Sequence, residues 1–271
     1  MRALALAVLL LLAAAGCSGK GADPTTGATT APPQAASSSQ TMLPPAAPPP
    51  AGPRVTITGC TNFGGVFPVP MAAAQALLPD GFKAVPAAGD LTGGATLYVL
   101  ALSCDGASVD GADVGAALLA YEELAVVPDA AHQVAGVSDY TVPLLFSASP
   151  RALGDAFEAL GLGKAGGVSW VTTGAGTTTA GGSVGGDGFT LTGQAAPSPP
   201  VAIPSGAFVL FGVQGKQVRG VVDGASEGGR FVQAAIVLQA QGNPPLLDQA
   251  QPAAQGFSVA GFTLHYAPRG P

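Results

Sequence analysis

The chain has 271 residues and a formal net charge of −6, with 10% of its residues charged and 48% hydrophobic. That balance argues against a nucleic-acid partner, whose phosphates need clustered Lys and Arg. The two histidines, His132 and His265, and the lack of Cys-x-x-Cys or His-x-x-x-His pairing argue against a zinc site of the usual kind, and no cofactor is expected.

Met1-Arg2 opens the chain with one positive charge, and Ala3 to Ala15 is an apolar run. The run is too short to span a bilayer as an ordinary helix but suits the core of a signal peptide. It ends in "LLAAAGC", small residues before Cys17, and resembles a bacterial lipoprotein signal. The resemblance implies a signal peptide over 1–16, cleavage before Cys17 and a thioether-linked lipid on Cys17. Ala14 stands where such signals usually carry a larger aliphatic residue, which keeps an ordinary secretory signal open as the other reading. Residues 17–53 are rich in Pro, Ala, Ser, Thr and Gly, with Met42 and Leu43 as the only large apolar residues. Such a segment cannot bury enough surface to offset its ordering entropy, so a lipid-anchored disordered tether is expected. The implied location is the cell envelope: the outer membrane, or the outer face of the plasma membrane in a single-membrane cell. The implied partner is the membrane, through the lipid; no protein partner has a signature.

Residues 54–271 read as one globular, mostly β domain. "RVTITGC" alternates Val55, Ile57 and Gly59 against Arg54, Thr56 and Thr58. "ATLYVLALSC" is a near-continuous apolar run of strand formers. "EELAVVP", "DYTVPLLFSA", "GVSWVTTG", "GFTLTGQ", "AFVLFGVQ", "QVRGVVDG", "RFVQAAIVLQA" and "GFTLHYAP" follow, divided by Gly, Asp-Gly and Pro signals. Two helices interrupt them. Pro70 to Leu78 carries an apolar face of Met71, Ala74, Leu77 and Leu78, with Pro79-Asp80-Gly81 as its stop. Pro150 to Leu160 is expected to have Ser149 as N-cap, Pro150 at the first helical position, Leu153, Ala156, Phe157 and Leu160 buried, and Gly161 as left-handed cap. Many short strands suggest a sandwich or barrel: an antiparallel barrel or bent double sheet with two short helices.

With Cys17 lipidated, Cys60 and Cys104 remain, each ending an expected strand. In an exported domain such a pair invites a disulfide, with two buried thiols as the alternative. Asp105, Asp110 and Asp113 around "GASVDGADVG" resemble a calcium loop only loosely and read as solvated turn carboxylates. "GLGKAGG" lacks the Ser or Thr of a P-loop, and no G-x-S-x-G elbow occurs. His132 and His265 read as surface residues.

"AYEELAVVP" followed by "DYTVPLLFSASPRALGDAFEALGLGKA" resembles the central stretch of acetoacetate decarboxylase-like proteins. There, a strand with a Tyr-x-Glu pattern precedes a second strand, a short helix and a Gly-aromatic-Pro-Lys-Lys turn. "FPVPMAAAQALLPDGFKAV" is similar to that family's opening and "GFTLHY" to its terminal strand. The likeness covers about two thirds of the domain through short, loose motifs. It implies a cone-shaped, mostly antiparallel barrel with an inner cavity. It also implies that Lys164 stands where the family has the lysine that forms a Schiff base, and Glu123 where it has the carboxylate.

Three departures bear on the chemistry. Leu162 replaces the aromatic residue, Gly163 the proline, and Ala165 the second lysine whose charge would help free the amine of its proton. The neighbours of Lys164 supply neither a cation nor apolar cover, and a nearby Glu123 would favour the ammonium form. A lysine closing a helix against exposed carbonyls is the favoured account of the position. The sequence therefore favours an envelope lipoprotein whose barrel binds a small ligand or partner without catalysis. A lysine-dependent decarboxylase of a small keto acid is the alternative.

Overall fold

The computed structural model describes residues 52–88, 93–253 and 255–269. The expected signal peptide, Cys17 and the tether as far as residue 51 lie outside them. In chain order the elements are β1 (Val55–Pro70), α1 (Met71–Leu77), β2 (Lys83–Ala84), β3 (Gly94–Val109), β4 (Ala112–Val127), β5 (Asp139–Ser149), α2 (Arg151–Ala159), β6 (Lys164–Ala165), β7 (Gly167–Thr172), β8 (Thr177–Val184), β9 (Asp187–Ala195), β10 (Val201–Ala202), β11 (Gly206–Gln214), β12 (Gln217–Glu227), β13 (Arg230–Gln241) and β14 (Gln255–Pro268).

Seven of these strands close a barrel. β1, β3, β4, β5, β11, β12 and β14 pair in that order, and β14 returns to β1. Six of the seven contacts are antiparallel; β5 and β11 run parallel. Closure leaves the ring with no free edge. A second layer grows from the first half of β14, where β13 pairs with it and β9, β8 and β7 follow outward.

This architecture creates two cores on opposite sides of the same strands. Inside the barrel lie Ile57, Leu102, Leu119, Tyr121, Phe146, Leu210, Phe262 and Leu264. Between the barrel wall and the second layer lie Phe63, Phe67, Val99, Ala101, Leu124, Phe189 and Leu191. Strands buried on both faces read as continuous apolar runs, which is why "ATLYVLALSC" lacks alternation.

Two bulges set which residues face inward. In β1 the pairing with β14 shifts between Ile57 and Cys60. Gly59, expected on the inward row, has φ +63° and turns outward, and Cys60 takes the inward place. A left-handed residue at a bulge is best supplied by glycine, and the extra residue inverts the alternation that the sequence pattern implied. In β5 the pairing with β4 shifts where Pro143 lies opposite Glu123. Proline cannot donate to the ladder, so the strand breaks register there.

The unbroken register between β1 and β3 places Cys60 directly opposite Cys104, their Cα atoms 4.0 Å apart, and a disulfide joins them. The two strands could equally have held two thiols; only their register makes the pair adjacent.

Helix α2 plugs the barrel. Leu153, Ala156, Phe157 and Leu160 are buried in the inner core, with the Phe157 ring 4.7 Å from that of Phe146 and 5.1 Å from that of Tyr266. The N-terminal expectation needs correction. Ser149 makes no capping hydrogen bond; Pro150 occupies the cap position with extended backbone (ψ 173°), and the helix begins at Arg151. The β5 strand runs directly into the helix, so the proline keeps strand geometry one residue longer than expected. Pro70 behaves likewise, capping α1 with ψ 125° after β1.

The C-terminal end of α2 is a Schellman turn. Gly161 has φ +78° and its N–H donates to Glu158 O at 2.9 Å, while the Leu162 N–H donates to Phe157 O at 3.0 Å. Gly161→Ala is therefore expected to destabilise the fold by about 1–2 kcal/mol, the cost of a left-handed side chain. Urea unfolding checks it; an unchanged midpoint would contradict the strain argument.

Apart from two-residue strands, one strand had no counterpart in the sequence reading. "TTTAGGSV" forms β8, paired on both sides with β7 and β9. Its threonines favour a strand, but the paired glycines and lack of large apolar residues leave no alternating pattern. Burial of Ala180, Gly181 and Gly182 against the barrel holds it in place.

Candidate functional site

Inside the barrel, the strands leave a cavity of about 170 Å³ lined by Asn62, Tyr121, Glu123, Asp139, Thr141, Phe146, Phe208, Leu210, Phe262, Leu264 and Tyr266. Five ring strands contribute. Asn62 comes from β1, just after the bulge. Tyr121 and Glu123 alternate on β4, and Asp139 and Thr141 alternate on β5 before its bulge. Phe208 and Leu210 come from β11, and Phe262, Leu264 and Tyr266 from β14.

The polar groups are held tightly. Glu123 is buried, and the Thr141 hydroxyl donates to its Oε2 at 2.9 Å. Burial, reinforced by the nearby negative charge of Asp139, pushes the Glu123 carboxyl up to about 8, and the Thr141 bond only partly offsets this. At neutral pH Glu123 is therefore mainly a neutral acid, able to donate a hydrogen bond. Asp139 lies at the mouth. Its surface is open to solvent, yet the surrounding protein mass still raises its carboxyl above the ordinary range.

The phenols follow the same physics. Burial raises the hydroxyl of Tyr121, with Tyr266 adding to it, and raises that of Tyr266, with Glu123 adding to it. Tyr98, packed against the inner core, is raised by burial and then by Asp139 and Glu123. All three stay neutral and can donate or accept. Asn62 is 9% exposed, and its Oδ1 has no hydrogen-bond partner.

Lys164 lies elsewhere. It is exposed on β6, which pairs in parallel with the end of β5, opposite Ser147. It lines an open cleft of about 590 Å³ with Ala148, Ser149, Arg151, Asp155, Glu158, Ala165 and Gly166. This cleft is the larger space, but its charges stand in water: Arg151 and Asp155, 3.7 Å apart, have side chains 88% and 58% exposed. Those charges are hydrated, whereas the carboxyl of Glu123 in the barrel is buried, so the smaller cavity is the chemically distinctive one. The two spaces share no lining residue, and the structure does not bring Lys164 beside Glu123. Among the described residues, no Lys, Arg or His lines the barrel cavity.

The other candidates have local roles. Asp110 Oδ1 accepts from the Arg54 N–H and Asp113 Oδ1 from the Gly115 N–H, both at 2.8 Å, at the β3–β4 turn. His132 Nδ1 lies 2.6 Å from Asp129 Oδ1, its ring against Phe82 and Phe211. His265 lies on the outward row of β14, partly exposed, its Nδ1 3.2 Å from the Thr56 hydroxyl and its Nε2 3.4 Å from Glu227 Oε1.

Of the cavity's polar residues, the motif reading had reached Glu123 through the Tyr-x-Glu pattern and had missed Asn62, Asp139, Thr141 and Tyr266. One signal was available. Asp139 and Thr141 alternate along "DYTVPLLFSA", a segment otherwise apolar enough to be buried on both faces. Polar residues on one row of such a strand mark a polar space on that side.

A plugged, closed β-barrel with an acidic interior is the class of protein these features define. Among solved structures the chain is similar to an acetoacetate decarboxylase, with 14% identity over 85% of this chain and 93% of that one and a TM-score of 0.57. It is similar to the acetoacetate decarboxylase of Legionella pneumophila, with 11% identity over 86% and 92% of the two chains and a TM-score of 0.56. It is also similar to an acetoacetate decarboxylase-like enzyme of Sphingomonas wittichii, with 13% identity over 80% and 91% and a TM-score of 0.51. The chain has the acetoacetate decarboxylase-like fold. No family model matches the sequence, and no curated protein matches it either.

Proposed function

We propose that this chain is an envelope lipoprotein, anchored through Cys17, whose barrel binds a small polar molecule without covalent catalysis. The observation that carries the reading is the cavity itself: buried, polar on one side, and free of lysine among the described residues. Schiff-base chemistry needs an amine within reach of the bound ketone, held substantially neutral by burial or by an adjacent cation. Lys164 is exposed in an open cleft, where the one other cation among the described residues lining it, Arg151, is accompanied by Asp155 and Glu158. At about 170 Å³ the cavity is well below the roughly 300–1,000 Å³ of sites for drug-sized ligands, so the ligand has only a few non-hydrogen atoms. The lipid signal supports the location, and the Pro-rich segment after it supports a tether long enough to hold the barrel off the membrane.

Protein purified from its native membrane should carry an acylated Cys17 as its first residue by mass spectrometry. Incubated with acetoacetate and borohydride, then digested, it should show no label on Lys164. A label at Lys164 that vanishes in Lys164→Arg would replace this reading with the lysine-dependent decarboxylase.

A further inference from the structure

We propose that the barrel cavity recognises a small primary ammonium ion, with Asn62, Glu123 and Asp139 as its acceptors and aromatic rings as its walls. The proposal rests on the ligand-binding reading above and names the class of ligand. Three features point to it.

First, Asn62 Oδ1 is a buried acceptor with nothing to accept from, although it lines a space large enough for a ligand. Buried polar atoms are nearly always paired, so an unpaired one facing a cavity calls for a donor from outside the chain. Second, the ionisable groups lining the space are all acids. Glu123 and Asp139 line it, and among the described residues no cationic side chain does. An anionic ligand would meet two carboxyl groups and no counter-charge, whereas a primary ammonium brings three N–H donors and no acceptor. Third, the walls are aromatic. Phe208 and Tyr266 pack edge to face at 5.8 Å, and Tyr121 stacks on Phe146 at 5.3 Å. Faces of this kind attract a cation, most strongly where water is excluded.

Binding is coupled to a proton. In the empty cavity Glu123 holds its proton to about pH 8. An arriving ammonium favours the carboxylate, so the Glu123 O–H bond breaks, its electron pair stays on the carboxylate, and the proton leaves to solvent. The other titratable groups facing Glu123 are Asp139 on β5, Tyr98 on β3, Tyr121 on β4 and Tyr266 on β14; Asp139 adds proton release of the same sign, and the phenols stay neutral. Affinity should rise by up to about tenfold per pH unit below pH 8 and then level off.

The test is isothermal titration of the full chain in detergent with ethylammonium chloride, at several pH values, in phosphate and in MOPS, with sodium acetate, acetone and sodium chloride as comparison titrants. Expected are saturable ethylammonium binding, proton release read from the difference between buffers, and affinity that increases from pH 6 to 8. Glu123→Gln should weaken binding by about tenfold or more and abolish most of the proton release. Asn62→Leu should weaken it while leaving proton release intact. Thermal unfolding of each variant identifies any that fails to fold, and the selectivity and pH profile of the unmodified chain decide the matter without them. Acetate or acetone binding in place of ethylammonium would overturn the ammonium assignment and leave the ligand-binding reading standing. Binding of none of these probes would overturn both, and sodium competing equally with ethylammonium would overturn recognition of the N–H donors.

Discussion

Stability is expected to fall as pH rises from about 5 to 8, and Glu122→Gln is expected to remove much of that fall. Glu122 neighbours Glu123 on β4 but points the other way, into the core between the barrel wall and the segment at Leu246–Asp248. It is fully buried, and neither carboxyl oxygen has a hydrogen bond of acceptable geometry. Burial pushes its carboxyl from 4.5 up to about 8; the nearby Leu246 N–H lowers it and Asp248 raises it further, without reversing the direction. Glu123 moves by the same amount on the cavity side.

A carboxyl raised in the folded state holds a proton there that the unfolded chain has already lost. The stabilising difference is complete below about pH 4.5 and disappears as pH climbs through about 8. At about 1.4 kcal/mol per pKa unit, the two groups together make a change of several kcal/mol. Asp139 acts in the same sense; Asp129, lowered first by its hydrogen bond to His132, is exposed and acts weakly in the opposite one. Glutamine keeps the shape of protonated Glu122 and cannot ionise. At pH 8 the variant should gain on the order of 2 kcal/mol over the unmodified chain, with little difference at pH 5. Urea unfolding at the two pH values measures it. Equal slopes for both proteins would show that Glu122 does not carry the effect.

Removal of the Cys60–Cys104 disulfide should cost about 4 kcal/mol. The bond closes a loop with a sequence separation of 44, and the chain-entropy relation assigns a loop of that length about this value. For a domain of this size the unfolding temperature should drop by about 10 °C. Both cysteines are buried in the inner core, so the Cys60→Ala, Cys104→Ala chain keeps apolar groups at both positions and isolates the cross-link from polarity. The intact protein should resist maleimide until reduced and unfolded, and peptide mapping without reduction should recover the two cysteines linked. Unchanged stability after reduction would remove the bond from the account of the fold.

Local chemistry was enough to expect a mostly β domain with two helices, because apolar runs of strand formers and 3.6-residue spacing are written over short stretches. Leu153, Ala156, Phe157, Leu160 and Gly161 were assigned correctly for that reason: a helix and its cap depend on residues within a few positions of one another. The fold family itself was carried by resemblance, since the same strands could have closed a sandwich. Register was decided only in three dimensions. The bulge at Gly59 inverts the alternation of β1, so that Cys60 rather than Gly59 faces inward; a strand pattern of period two cannot announce its own interruption. Pairing across the ring likewise brought Asn62, Glu123, Asp139, Thr141 and Tyr266 around one space, though they come from four strands distributed over about 200 positions of the chain. Lys164 stood where a motif placed it and turned outward, because the side a residue faces is set by the neighbours its strand acquires. Whether a carboxyl such as Glu122 or Glu123 is a solvated charge or a buried acid depends on what covers it, and only the closed barrel and its second layer supply that cover.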